Sequence, residues 1–410
     1  MRTPTLLLPA GNRQTFQTAL RFGADAVYCG MDQFSLRAGA DNFDSEMLGS
    51  AIAEAHARGK KVHVTLNIFA RDRDIPGMLR ATAHARDLGA DALIVSDLGM
   101  IAAIARNCPG IDIHVSTQAN TTNAASARVY RDLGASRIVA ARELSLAELE
   151  EMAAELDGIM EVESFIHGAQ CMSWSGRCML SAALLGRSAN RGDCAQPCRW
   201  SYGLLERKHP EEPWEILESE GQGDTLLSAH DLCMIEHMPR LMRSGIACFK
   251  VEGRMKNELY VATVGLAYRK VMDACLKDAE PDSAFLRRWR EELDKVSHRV
   301  YDTGFYFGPP AVPGMASGTR QAAEYMARVL EVSGGIALVE MRNRFFRGEV
   351  LEAVTPDGIV QFPVESIRDA GTGAQLDRVS VPLQRVEIPC TGEIAAGDLI
   401  RGPVRNRANT

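Results

Sequence analysis

The sequence predicts an α/β protein: a TIM-type (β/α)8 barrel with a cysteine-rich insertion after strand seven and a small C-terminal all-β domain. Three observations carry this. A unit of helix, glycine and short apolar strand recurs from the N-terminus to about Val251. Its strands are apolar at successive positions, as in parallel strands covered on both faces. From Thr319 the texture changes to alternating strands and tight turns.

Leu6–Ala10 is the first strand, and Pro9-Ala10-Gly11-Asn12 turns it into a helix. That helix stops at Arg21-Phe22-Gly23-Ala24-Asp25, before the strand Ala26–Gly30. The same punctuation returns at 87–91 before Ala92–Val95, at 132–136 before Arg137–Ala140, and more loosely at 243–246 before Ala247–Val251. In each copy a glycine ends the helix, because it takes the left-handed cap conformation cheaply. Lys61–Asn67, Asp112–Gln118 and Glu161–His167 supply the remaining strands. The count is eight, near residues 6, 26, 62, 92, 112, 137, 162 and 248. Eight parallel strands with intervening helices make a TIM barrel. An open doubly wound sheet is the alternative, but no glycine-rich dinucleotide fingerprint is found.

Asp231 is expected to cap a helix running to Arg243, which would place Cys233 on an amphipathic helix. Asn257–Cys275 and Ser283–His298 read as closing helices. The barrel spans 1–308, including an insertion over about 168–227, with Pro309–Gly314 as linker and 319–410 as the β domain. Within that domain Gly334-Gly335 and Pro356-Asp357-Gly358 are hairpin signals.

Hydrophobic residues make up 46% of the chain and charged residues 24%, the balance of an ordinary globular protein. A net charge of −7 makes no broad claim on nucleic acid, so any RNA contact has to be a local patch. The apolar run at Leu6–Leu8 is too short for a signal peptide or a membrane span. Ten cysteines in such a chain argue against a disulfide framework. The expectation is a soluble, cytoplasmic protein.

Four of those cysteines, Cys171, Cys178, Cys194 and Cys198, fall within 28 residues, separated by six, fifteen and three. Buried small hydrophobes are one reading. A four-thiolate metal or iron–sulfur site is the other, favoured by the loop-forming neighbours Gly168, Gly176, Gly192, Asp193 and Pro197. Zinc sites usually come as two tight pairs, and only 194/198 is that close, which tilts the choice towards iron–sulfur. The other cysteines at 29, 108, 248, 275 and 390 read as packing residues.

Barrel active sites form at the C-terminal strand ends. Here those ends carry Asn67, Asp97, Thr117, Gln118, Arg142, Glu143, His167, Glu252 and Arg254, and the cysteine loop leaves from the same face. Gln118, Arg142, His167, Glu252 and Arg254 are the candidates for direct chemistry. His114 reads as a hydrogen-bonded interior side chain. Lys250 and Glu252 share a strand face, either as a charge pair or as working groups. No His-Glu-x-x-His helix, Gly-x-Ser-x-Gly elbow or phosphate-binding Gly-x-x-x-x-Gly-Lys loop is present. Four clustered cysteines suit a cysteine protease poorly.

The run Glu163–Cys171, continued by Ser175-Gly176-Arg177-Cys178, resembles the signature of the collagenase-like peptidase family (peptidase family thirty-two of unknown type). So do Leu8–Gly11, His114–Gln118, Asn190–Trp200, Phe249–Arg254 and Ser297–Phe305, so the resemblance covers nearly the whole chain. It implies hydroxylation of tRNA, rRNA or ubiquinone without molecular oxygen, and a 4Fe-4S cluster on Cys171, Cys178, Cys194 and Cys198. Cys233 is a lesser candidate ligand by analogy with the ubiquinone branch. The single barrel with a short β domain is most similar to the tRNA uridine 5-hydroxylation branch, which implies 5-hydroxyuridine at the wobble position and prephenate as co-substrate. A tRNA would meet Arg177, Arg187, Arg191 and Arg199 around the cysteines and Lys250, Arg254 and Lys256 near the mouth, with Trp174, Trp200 and Tyr202 either stacking on bases or packing. A true peptidase and a zinc-containing RNA-binding module are the competing readings.

Overall fold

Eight parallel strands close into a barrel: β1 (Thr5–Pro9), β2 (Ala26–Gly30), β3 (Lys61–Leu66), β4 (Ala92–Val95), β5 (Asp112–Val115), β6 (Arg137–Val139), β7 (Glu161–Ala169) and β11 (Cys248–Val251). Closure comes from β11, which pairs in parallel with both β1 and β7. All eight expected strands are present where the sequence placed them. The computed structural model describes residues 3–37, 40–200, 204–206, 215–217, 228–277, 280–310, 318–390 and 392–405. Tyr202 and linker residues 311–314 lie outside them.

Helices α1 (Arg13–Arg21), α2 (Ser45–Ala57), α3 (Ile75–Asp87), α4 (Leu98–Asn107), α5 (Ala124–Asp132) and α6 (Leu146–Glu155) alternate with the first seven strands. Local chemistry starts and stops them. Asn12 caps α1 by accepting from Thr15 N at 2.9 Å, with the Thr15 side chain returning the bond. Asp97, one of the strand-end polar residues, caps α4 through Met100 N at 2.9 Å. Gly23 and Gly134 sit at φ +103° and +104°, where a side chain is rarely tolerated, and each releases the chain into the next strand.

After β7 comes the cysteine loop, with the short helix α7 (Leu180–Leu185) and the strands β8 (Leu204–Glu206) and β9 (Glu215–Leu217), which pair with each other. Here the structure corrects the expectation for Asp231. Asp231–Cys233 is a strand, β10, antiparallel to β7 and parallel to β12 (Tyr301–Asp302). The Asp231 carboxylate is buried against Arg299 at 2.7 Å, so it is an ion-pair partner instead of a helix cap. A 3-10 turn (Ile235–His237) and the short α8 (Met238–Leu241) follow in place of the expected helix. Helix α9 (Glu258–Lys277) closes the barrel wall, and α10 (Ser283–Leu293) ends before the expected His298.

The C-terminal region is an eight-stranded antiparallel sheet built on strands such as Ala323–Ser333, Ile336–Met341 and Leu399–Pro403, with its own apolar core. Both expected hairpin turns are present, between Ser333 and Ile336 and between Thr355 and Gly358. Ion pairs tie it to the barrel: Asp398 to Arg21 at 2.6 Å, and fully buried Arg401 to Glu292 at 2.5 Å.

Candidate active site at the barrel mouth

Inside the barrel, Leu7, Ala26, Tyr28, Ile94 and Cys248 form an apolar layer. Beside it lies a chain of buried charges. Glu163 accepts from Lys250 Nζ at 2.9 Å and from Arg137 Nη1 at 3.1 Å, and Arg137 reaches Glu161. Burial alone would raise the Glu163 pKa, but Lys250 and Arg137 outweigh it and hold it at about 2. Lys250 therefore pairs with Glu163, not with Glu252. His63 and His114 meet edge to ring at 4.7 Å, and burial pushes His63 down to about 3 and His114 well below its ordinary value. Nδ1 of His114 has no hydrogen-bond partner among the described residues, so that nitrogen does not supply the hydrogen bond expected of this side chain.

One layer higher, Glu252 is ringed by three guanidinium groups. Its Oε1 lies 3.5 Å from Arg37 Nη2, and its Oε2 lies 3.9 Å from Arg142 Nη2. The Tyr28 hydroxyl donates to Val251 O at 3.0 Å and approaches Oε2 at 3.4 Å. Burial pushes the Glu252 pKa up, while Arg37, Arg142 and Arg254 together bring it below its ordinary value. Arg142 stacks its guanidinium 4.0 Å above the Phe165 ring and donates to Ala169 O at 3.0 Å. Arg254 is almost fully buried and donates to the Ser35 and Thr65 hydroxyls at 2.7 and 2.8 Å. A side chain at Gly30 would collide with it, which accounts for glycine at the end of β2.

Three of the five chemical candidates, Arg142, Glu252 and Arg254, thus converge. His167 does not join them. Glu163 and Phe165 face the interior, and simple alternation would bring His167 there too. A register shift opposite Lys250 and Val251 inserts one extra residue into β7, and such a bulge re-aims the next side chain. His167 instead sits in a cage of Tyr260, Tyr268 and Tyr301, where burial lowers its pKa to about 3. Gln118 lies at the rim, its side chain packed where Gly176 of the cysteine loop passes. Asn67 and Thr117 bond backbone groups at 3.1 Å and serve the scaffold.

The cysteine loop lies across this mouth. Glu143 clasps it, accepting from Ser175 N at 2.5 Å and from Ser175 Oγ at 2.6 Å. Arg191 anchors it to Asp74 at 2.7 Å, Arg187 pairs with Asp193, and Arg177 donates to Gln118 O at 3.1 Å. Much of the expected RNA-binding charge is therefore spent holding the loop. Trp174 and Trp200 are exposed on it. Cys171 and Cys194 are exposed, and Cys178 and Cys198 half-buried. Leu180 N donates to Cys178 Sγ at 3.3 Å and Gln196 N to Cys194 Sγ at 3.4 Å. Such N–H···S contacts suit thiolates that carry a metal or cluster. The four-thiol donor set and these amides fit an iron–sulfur cluster in chemistry, although no three His, Cys, Asp or Glu side chains among the described residues are gathered at metal-holding distance. Cys233 is buried in the core next to Tyr268, on a strand and not a helix, with its thiol pushed up to about 11 by burial.

Sequence reasoning missed Arg37 and Tyr28. Tyr28 was findable, since it lies two residues beyond Ala26 on the interior face of β2. Arg37 carries no such signal, because its loop takes left-handed backbone at Phe34, Arg37 and Asn42.

A model described as Peptidase family U32 matches residues 11–316, and one described as Peptidase family U32 C-terminal domain matches 321–401. The chain belongs to peptidase family U32. It is 35% identical to tRNA hydroxylation protein P1 of Bacillus subtilis, over 98% of this chain and 95% of that one. It is 33% identical to tRNA hydroxylation protein P of Escherichia coli over 90% of each chain. A protein named Collagenase from Porphyromonas gingivalis is 29% identical over 96% of each. No helix among the described residues is long and apolar enough to cross a membrane.

Proposed function

We propose that this U32 protein is a tRNA-modifying enzyme of the cytoplasm that hydroxylates the wobble uridine at C5, with prephenate as co-substrate and without molecular oxygen. The observation that carries the reading is the end-to-end likeness to a tRNA hydroxylation protein at 35% identity. Cys171, Cys178, Cys194 and Cys198 would hold a 4Fe-4S cluster, which supplies electron transfer beside the mouth. The chain's own groups receive the reactants. Ionised Glu252 accepts a hydrogen bond from an N–H, while Arg37 and Arg142 offer donors to carbonyl oxygens. A peptidase reading has the Collagenase likeness behind it, yet no described cysteine or serine at the mouth has a histidine within hydrogen-bond reach.

The test begins with anaerobic purification. A broad absorption near 400 nm with about four irons per chain supports the cluster, and a single zinc with no colour overturns it. Cys194→Ala, at an exposed position, should abolish 5-hydroxyuridine in tRNA of the host while the circular dichroism of the chain stays that of the parent fold. Undiminished modification in that variant would remove the cluster from the reaction.

A further inference from the structure

We propose that Arg37, Glu252 and Arg142 form a donor–acceptor–donor array that reads the imide edge of uracil and rejects cytosine. The inference rests on the RNA-hydroxylation reading above and names the residues that choose its base.

The two guanidinium groups flank opposite oxygens of one carboxylate. Arg37 Nη2 stands 3.5 Å from Oε1, and Arg142 Nη2 stands 3.9 Å from Oε2. Good N–H···O bonds are about 2.7–3.2 Å long, so these donors are aimed at the carboxylate without being consumed by it. Nε of Arg142 is likewise buried without a hydrogen-bond partner among the described residues. In the barrel interior Lys250 and Arg137 close on Glu163 to 2.9 and 3.1 Å, so the mouth contacts are looser than those of the layer beneath.

The order of groups selects the ligand. Uracil presents a carbonyl oxygen, an N3–H and a second carbonyl oxygen along one edge. Two guanidinium donors with a carboxylate acceptor between them complement that sequence at every position. Cytosine presents a bare N3 to the carboxylate and an amino group to a guanidinium, leaving both pairs opposed. A site built on polar matching discriminates strongly, because the wrong ligand leaves desolvated groups unpaired. A carboxylate ligand could engage the guanidiniums but would meet Glu252 head-on. Phe165 beneath Arg142, and the Tyr28 hydroxyl 3.4 Å from Oε2, hold two members of the array in place. Arg254 is committed to Ser35 and Thr65 and lends charge only. Arg37 has 38% of its side chain exposed, so the array opens to solvent on that side, where an everted base would enter.

The experiment measures binding, apart from turnover. Anaerobically purified full chain is titrated into fluorescent anticodon stem-loop RNAs that differ only at the wobble nucleotide: uridine, cytidine or N3-methyluridine. Uridine should bind about tenfold more tightly than either of the others, the size of one good base-edge pairing. Arg37→Met and Glu252→Gln should each bring that ratio to about one while the cytidine RNA binds as before, since phosphate contacts carry the common affinity. Arg37→Met alters a partly exposed side chain, and its circular dichroism and unfolding midpoint should match the parent. If all three RNAs bind equally well to the parent chain, the array is overturned and the RNA reading stands. If no RNA binds at all, both fall.

Discussion

Two clusters of arginine and glutamate sit one above the other in this barrel, and they behave differently. In the interior, Glu163 is held by Lys250 and Arg137 at 2.9 and 3.1 Å, all three buried. At the mouth, Glu252 faces Arg37 and Arg142 at 3.5 and 3.9 Å. Lys250 and Glu252 are two residues apart on the same chain segment, so strand geometry alone does not separate them. Packing does: the interior has no room for anything but mutual pairing, whereas the mouth is bounded by a loop and solvent. The saturated charge set is scaffold, and the looser one above it is where the proposed base would dock.

Acid should act first on the buried rings. His63 and His167, each held at about 3, and His114, held well below its ordinary value, are all neutral in the folded chain because burial disfavours the charged ring. The unfolded chain binds their protons below about pH 6.5, so stability is lost as pH falls from there, by about 1.4 kcal/mol per pH unit for each histidine. Glu163, depressed to about 2 in the folded state, adds a further loss between about pH 4.5 and pH 2. Urea unfolding midpoints measured from neutral pH downwards should fall steeply below about pH 6.5, and a flat profile to about pH 4 would contradict the burial of these rings.

Substitution should then set the two clusters apart. Glu163→Ala strands the buried Lys250 and leaves Arg137 with Glu161 alone, and should cost about 3–5 kcal/mol in chemical denaturation. Glu252→Ala removes a carboxylate whose contacts are long and should cost about 1 kcal/mol or less. Equal costs would erase the distinction drawn between interior and mouth.

The smallest effect on global stability is expected at the clasp on the cysteine loop. Glu143→Ala frees Ser175 N and Oγ, two hydrogen bonds to a charged group, worth about 1.5–3 kcal/mol locally. Because a loop opens independently of the core, limited proteolysis within the loop should accelerate while the global unfolding midpoint stays fixed.

The barrel was legible because its signals are local. A helix that ends in Asp-Leu-Gly-Ala and gives way to four apolar residues needs only its neighbours to be read, and the strands so placed all appear. Arg142, Glu252 and Arg254 followed, since strand ends gather at one face of any barrel. The misses share a cause. Asp231 reads as a cap because Asp is a good one, but its partner Arg299 lies 68 residues away. The turn of His167 away from the mouth depends on a bulge that is defined only by the register against β11.

The sequence by itself determined the order of strands and helices, the four thiols on one loop and the polar character of the mouth, because backbone preference and side-chain period act over a few residues. Only the tertiary structure decided which charges neutralise one another, that Arg37 arrives from the loop after β2, and that Glu252 keeps its donors at arm's length. Those outcomes depend on distances of a few tenths of an ångström between segments far apart in the chain, and electrostatic pairing in a low-dielectric interior turns on such distances.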